Sequence, residues 1–238
     1  MLEGTEGLFK RRLPASRVVA FEANPRNFER MCNNRSLAAN AVSLEPLALC
    51  ESDGVADFFV VRTDSSERAA RLGMSSLYRR AQSEQIERVV QVPTARLDSY
   101  VARHAPAARR LALWIDVEGK AFEVIEGARG VLPRVQLVHV EVETRPLIGA
   151  AQRIFADVRA LLRESGFTEL ASDYPLTGSQ FNVLYARIPR EAAARRALQL
   201  RLNYAVFRRH ATNLVYRLLP ARVRGLLAGR FRIRGAIG

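Results

Sequence analysis

The stretch LALWIDVEGKAFEVIEGA, Leu111 to Ala128, decides the fold. Leu111 to Ile115 is an apolar run of strand length, and it ends in Asp116, Glu118 and Gly119. A helical pattern starts at once, with Phe122, Ile125 and Ala128 at helix spacing. A buried strand that ends in carboxylates and turns straight into a helix has the form of an α/β active-site edge. Ligands of open parallel sheets bind outside the carboxyl ends of the strands. The arrangement recurs twice: Val18 to Phe21 ends in Glu22, and Leu137 to Val140 ends in Glu141 and Glu143. Three apolar strands are therefore expected to deliver acids to one sheet edge.

Working outward, Asn24-Pro25 breaks the first strand, and Pro25 suits a helix start. Phe28, Met31 and Leu37 then predict a helix over Arg26 to Leu37. Val42 to Leu49 reads as a second strand, stopped by the turn signal Glu51-Ser52-Asp53-Gly54. Val55 to Val61 reads as an antiparallel partner strand. Thr63 to Glu87 is polar and rich in Arg and Ser, a long insertion with Met74-Ser75-Ser76-Leu77 in its middle. Val89 to Pro93 is a short strand, and Leu97 to His104 a short helix with Thr94 or Asp98 as its cap. After the central unit, Ala150 to Ser165 is an amphipathic helix closed by Gly166. Thr168 to Ala171 and Phe181 to Ala186 read as a closing antiparallel pair. The order predicts an α/β sheet with helices on both faces.

The chain has 238 residues, 48% of them apolar, which suffices for one domain plus an appendage. The formal charge of +13 divides unevenly. From Arg190 onward there are twelve Arg, no Lys and one acid, Glu191, so this tail carries +11. The remainder holds 25 basic and 23 acidic side chains and is nearly neutral. A nucleic-acid-binding body is thereby excluded. Cys32 and Cys50 are the only cysteines, which gives neither a disulfide framework nor metal-ligand spacing, and fits a reducing cytoplasm. The start has no apolar signal segment, and no run approaches the ~18 apolar residues of a membrane span.

Four segments together resemble the FkbM family of S-adenosylmethionine-dependent methyltransferases: FEANPRNFERM at 21–31, LALCESDG at 47–54, VPTARLDSY at 92–100 and WIDVEGKAFEVIEGA at 114–128. VHVEVE at 138–143 adds to them. The resemblance covers roughly residues 17–187 and implies a Rossmann-like class I methyltransferase sheet. It implies methyl transfer from S-adenosylmethionine to a hydroxyl of a small molecule or glycan. Under it, Glu22 accepts hydrogen bonds from the ribose hydroxyls of the cofactor, since a carboxylate offers two acceptors to a vicinal diol. Asn24 caps the following helix or touches the cofactor, and Ala48 lies beside the adenine or in plain strand core. Asp116 faces the methionine end of the cofactor or the acceptor hydroxyl. Glu118 and Glu141 join it as a catalytic cluster, in which mutual repulsion raises a pKa and makes a usable base. Alternatively, Glu118 only complements the dipole of the next helix. No metal is expected. His139, between valines, reads as structural, Trp114 as core, and Ser75-Ser76 either as a ligand contact or as surface loop.

Two features depart from the family pattern. Such a sheet begins with a strand and a Gly-rich loop ahead of Val18, and MLEGTEGLFKRRLPASR supplies neither. The expectation is thus a methyltransferase domain over residues 1–189, incomplete at its N-terminal side. Residues 190–238 form the second departure, a basic and partly helical tail with Leu198, Leu202, Ala205, Leu214 and Leu218 among its arginines. The tail packs on the body or lies on an anionic membrane surface, and its sparse aromatic residues disfavour nucleic acid. A degenerate, non-catalytic binding protein, peripheral to the membrane, is the alternative to an enzyme.

Overall fold

Pro46 has no backbone N–H to give a ladder, and there the expected second strand divides. β2 (Ser43–Glu45) pairs in parallel with β1 (Val19–Phe21), whereas β3 (Ala48–Leu49) turns away to pair with β5 (Ile86–Ala95). The computed structural model describes residues 15–61, 74–79, 86–173 and 179–188. The expected helix after β1 also divides. Asn24 caps α1 (Pro25–Cys32) by accepting from Arg26 N, and Asn34 starts α2 (Arg35–Ala39) by accepting from Ser36 N.

β4 (Gly54–Val61) pairs antiparallel with β5, which is longer than the sequence pattern indicated, and the order of that sheet is β3-β5-β4. α3 (Leu97–His104) and β6 (Leu111–Ile115) fall where the sequence placed them. Neither expected residue caps α3. Asp53 accepts from Arg96 N at its start, while Asp98 braces the distant turn by accepting from Gly130 N and Val131 N. α4 (Ala121–Glu126) is followed by turns, a 3₁₀ segment at Leu132–Arg134, and β7 (Val135–Glu143). α5 (Phe155–Glu164) starts later than the apolar spacing implied, where Asp157 accepts from Ile154 N. β8 (Thr168–Ser172) and β9 (Gln180–Ala186) form the expected antiparallel pair.

The largest sheet has the order β6-β7-β9-β8, with β6 and β7 parallel. Among the described residues the strands form three ladders rather than one continuous sheet. The α/β class holds. The leader at 1–14 and the tail beyond 188 lie outside the described residues, so the expected N-terminal gap and the helical tail are not described.

Ile115, Val138, Val140, Val142, Val183 and Tyr185 project from one face of the large sheet. Leu97 and Val101 of α3, Val124 and Ile125 of α4, and Val158, Leu161 and Leu162 of α5 complete the same cluster. Burial of each such side chain contributes about 1.5–3 kcal/mol. Docking α4 here requires a glycine behind it: a Cβ on Gly127 would stand 2.0 Å from the Cys50 carbonyl oxygen. This close approach fixes the β3 end against the helix that follows the acidic loop.

Candidate functional site

The turn between β6 and α4 needs a residue with positive φ, and Gly119 supplies it at +80°. The loop Asp116–Lys120 therefore leaves the sheet edge abruptly and holds its acids beside the end of β7. Glu141 is half-buried on β7, and Gln180 Nε2 donates to its Oε1. Its pKa is pushed up to about 8, first by burial and then by Asp116, Glu118, Glu143 and Asp173 around it. Asp116 also titrates above the ordinary range, through desolvation. By accessible area Asp116 counts as exposed. The residue is open to water at the sheet edge while protein atoms crowd its carboxyl.

The three residues expected to form a catalytic cluster, Asp116, Glu118 and Glu141, thus come together, with Glu143 and Asp173 as additions. Among the described residues no group of three or more His, Cys, Asp or Glu is arranged to hold a metal ion.

Glu22 lies at the carboxyl end of β1, where its Oε1 accepts from Asn24 N at 2.7 Å. This bond curls the loop and sets the carboxylate at the strand end. Asn24 is buried: Oδ1 caps α1 and Nδ2 donates to Ser75 Oγ at 3.3 Å. Ala48 is buried in a small cluster with Phe58, Val60 and Val92, and Ala23 and Leu77 pack against it.

A strap over residues 74–79 joins the two loops, and nothing in its own sequence gave its path. Ser75 Oγ accepts from Val61 N and from the Asn24 amide. Ser76 is 3% exposed, bridges to Phe59 through the backbone, and donates its hydroxyl to the Glu118 carbonyl at 2.6 Å. Tyr78 donates to Glu123 Oε1 at 2.6 Å, and the Lys120 ammonium lies 4.3 Å from its ring centre. Burial and the Glu123 carboxylate raise the Tyr78 pKa, so the phenol stays protonated and remains a donor. The serine pair thus holds the Glu22–Asn24 loop and the Asp116–Lys120 loop against each other. Buried Glu123, on a helix read only for its apolar spacing, was the missed anchor.

Trp114 is not core. It is 46% exposed and stacks on His139 with ring centres 3.7 Å apart. Burial lowers the His139 pKa, against an opposing pull from Asp173, so the ring is neutral near pH 7. A cleft beside the strap is lined by Glu51, Ser52, Asp53, Leu77, Thr94 and Lys120.

Chemically, this edge suits a ligand that carries positive charge, because several carboxylates crowd it and one is held partly protonated by burial and by its neighbours. Among known families, the sequence model of the methyltransferase FkbM domain matches residues 4–169. No curated protein and no solved structure matches the chain.

Proposed function

The chain belongs to the FkbM methyltransferase family, and on that premise we propose that it transfers a methyl group from S-adenosylmethionine to a hydroxyl of a small molecule or glycan. The observation that carries the reading is the crowded acidic edge, in which Glu141 is pushed up to about 8 by burial and by Asp116, Glu118, Glu143 and Asp173. The cofactor fits this edge on the chemistry of its donors, since a sulfonium and an ammonium group call for carboxylates and a vicinal diol calls for paired acceptors. When bound, it supplies an electrophilic methyl group.

Glu22 offers the ribose hydroxyls its carboxylate at the end of β1. Asp116 and Glu118 hold the cationic end by charge, and neighbouring positive charge favours the ionised form of Glu141. Glu141 then accepts the proton that the acceptor hydroxyl loses, as a base whose pKa lies near the working pH. The strap keeps both loops at fixed separation, and orientation of this kind supplies much of the rate in a two-reactant transfer.

Isothermal titration of the full chain with S-adenosylmethionine tests the assignment. Glu22→Gln retains one oxygen for the Asn24 N–H and loses the second acceptor and the charge. Affinity should fall at least tenfold, since hydrogen bonds to charged groups contribute about 1.5–3 kcal/mol. Equal affinity of the two chains refutes the ribose role. A subsequent screen of hydroxylated metabolites and sugars identifies the acceptor.

A further inference from the structure

The near-neutral body hides a segregation of charge along its strands. The carboxyl ends of β1, β6 and β7 carry Glu22, Asp116, Glu118 and Glu141, and the strap ties the loops at those ends together. The amino ends carry cations: Arg17 ahead of β1, Arg109 and Arg110 ahead of β6, and Arg134 ahead of β7. Ser99 to Ile115, which spans most of α3, the connecting loop and β6, contains no Asp or Glu.

Hydrogen bonds gather these cations at one foot of the molecule. Arg17 Nη1 donates to the His104 carbonyl at 3.0 Å, and Arg134 Nη1 donates to the carbonyls of Pro106 and Ala108 at 3.1 and 3.0 Å. The loop from His104 to Arg110 is therefore held on two sides by guanidinium groups from neighbouring strand starts. A carbonyl acceptor carries no net charge, so each bond fixes an arginine without cancelling it. Among the described residues none of Arg17, Arg109, Arg110 and Arg134 forms an ion pair. Arg17, Arg109 and Arg110 are exposed, and exposed Arg103 on the last turn of α3 adds to them. The chain also leaves the body here. β9 ends at Ala186, opposite Leu137, and Arg187 donates to the carbonyls of Leu132, Val135 and Ser165. The sequence that continues from Ile188 carries the +11.

We infer that this foot, centred on Arg109 and Arg110, docks on an anionic lipid bilayer and holds the acidic edge away from it. Each arginine close to such a surface strengthens binding about fivefold. Nucleic acid fits less well: the loop has no aromatic side chain after His104 to stack a base, and the His104 ring already lies 4.5 Å from that of Tyr100. The acids favour the same orientation. β6 has five residues and is about 17 Å long, roughly two screening lengths of about 8 Å at physiological ionic strength. At that distance the acidic edge escapes repulsion by the headgroups, whereas the inverted orientation would press it onto like charge. The inference does not depend on the proposed methyl transfer.

Co-sedimentation of the full chain with vesicles of phosphatidylglycerol and phosphatidylcholine in equal parts, at physiological ionic strength, tests it. Arg109→Glu with Arg110→Glu should weaken binding at least about thirtyfold, with the far-ultraviolet dichroism unchanged. Arg79 on the strap and Arg145 after β7 are exposed near the acidic end. Arg79→Glu with Arg145→Glu makes the same change in net charge there and should weaken binding less than about threefold. Equal losses in the two variants would mean that net charge or the segment 189–238 alone drives binding, and would overturn the inference. An unaltered chain that stays in the supernatant, or that binds vesicles of phosphatidylcholine alone equally well, overturns it too. If the Arg109/Arg110 variant keeps vesicle binding and loses a fluorescent single-stranded oligonucleotide instead, the foot serves nucleic acid and the docking is refuted. Should the reversal disturb folding, Arg109→Gln with Arg110→Gln decides: a loss of about tenfold is expected, and no loss refutes the docking.

Discussion

Glu141→Gln is expected to stabilise the protein while removing its base. The ordinary glutamate value of 4.5 and the value of about 8 in the folded chain bound a pH window. Within it the unfolded chain ionises this carboxyl and the folded chain keeps it protonated. The folded state binds more protons there, so stability falls as pH rises from about 4.5 to about 8 and levels off above. Taken at face value the gap corresponds to about 5 kcal/mol. The carboxyl is partly solvated and its neighbours can turn away, so about 2 kcal/mol is the expected loss. Gln cannot ionise, and its amide oxygen still accepts from Gln180 Nε2. The two chains should therefore be nearly equal near the low end of the window. Above its upper end the variant should be more stable by about 2 kcal/mol, or about 4–8 °C in melting temperature. Urea titrations followed by circular dichroism across the window measure this directly. Stability curves that run parallel in pH would mean that Glu141 titrates as an ordinary surface carboxylate, and the general-base role would go with them.

How much of this site was legible depended on how local its determinants are. Leu97–His104 and Leu111–Ile115 were read to the residue because each is bounded by sharp changes in polarity. The acids at the ends of β1, β6 and β7 were legible for the same reason, as the first polar residues after apolar runs. The division at Pro46 follows from a missing N–H and was available in the sequence, but the apolar pattern from Val42 to Leu49 hid it. Trp114 could also have been placed: Leu111, Leu113 and Ile115 alternate toward one face, which leaves Ala112 and Trp114 on the other.

The strap could not have been placed. Ser75 meets Asn24 across 51 residues, Ser76 meets Glu118 across 42, and Tyr78 meets Glu123 across 45. Such contacts leave no period in the sequence, because a hydroxyl that bonds a distant backbone looks the same as one that bonds water. The family resemblance marked the serine pair without giving its partners.

The remaining predictions probe the supports of this edge. Gly127→Ala should destabilise the chain by about 1–3 kcal/mol or more by overpacking, because the new methyl would meet the Cys50 carbonyl oxygen at 2.0 Å; an unchanged melting temperature would contradict that packing. Tyr78→Phe leaves buried Glu123 without its phenol donor and should cost about 1–3 kcal/mol; an unchanged urea midpoint would contradict that contact. Asp116→Asn separates chemistry from scaffold. Its carboxyl is destabilised by desolvation and is, after burial, the first contributor to the raised pKa of Glu141. Removing its charge should leave stability level or slightly higher and move the Glu141 titration to lower pH, visible by carbon NMR of the carboxyl. If Asp116 holds the reactants, methyl transfer should fall far more than stability does. If Glu141 is the base, the residual activity should reach its alkaline plateau at lower pH than in the unaltered chain. A Glu141 titration that stays in place would break the coupling on which the acidic edge depends, whatever happens to turnover.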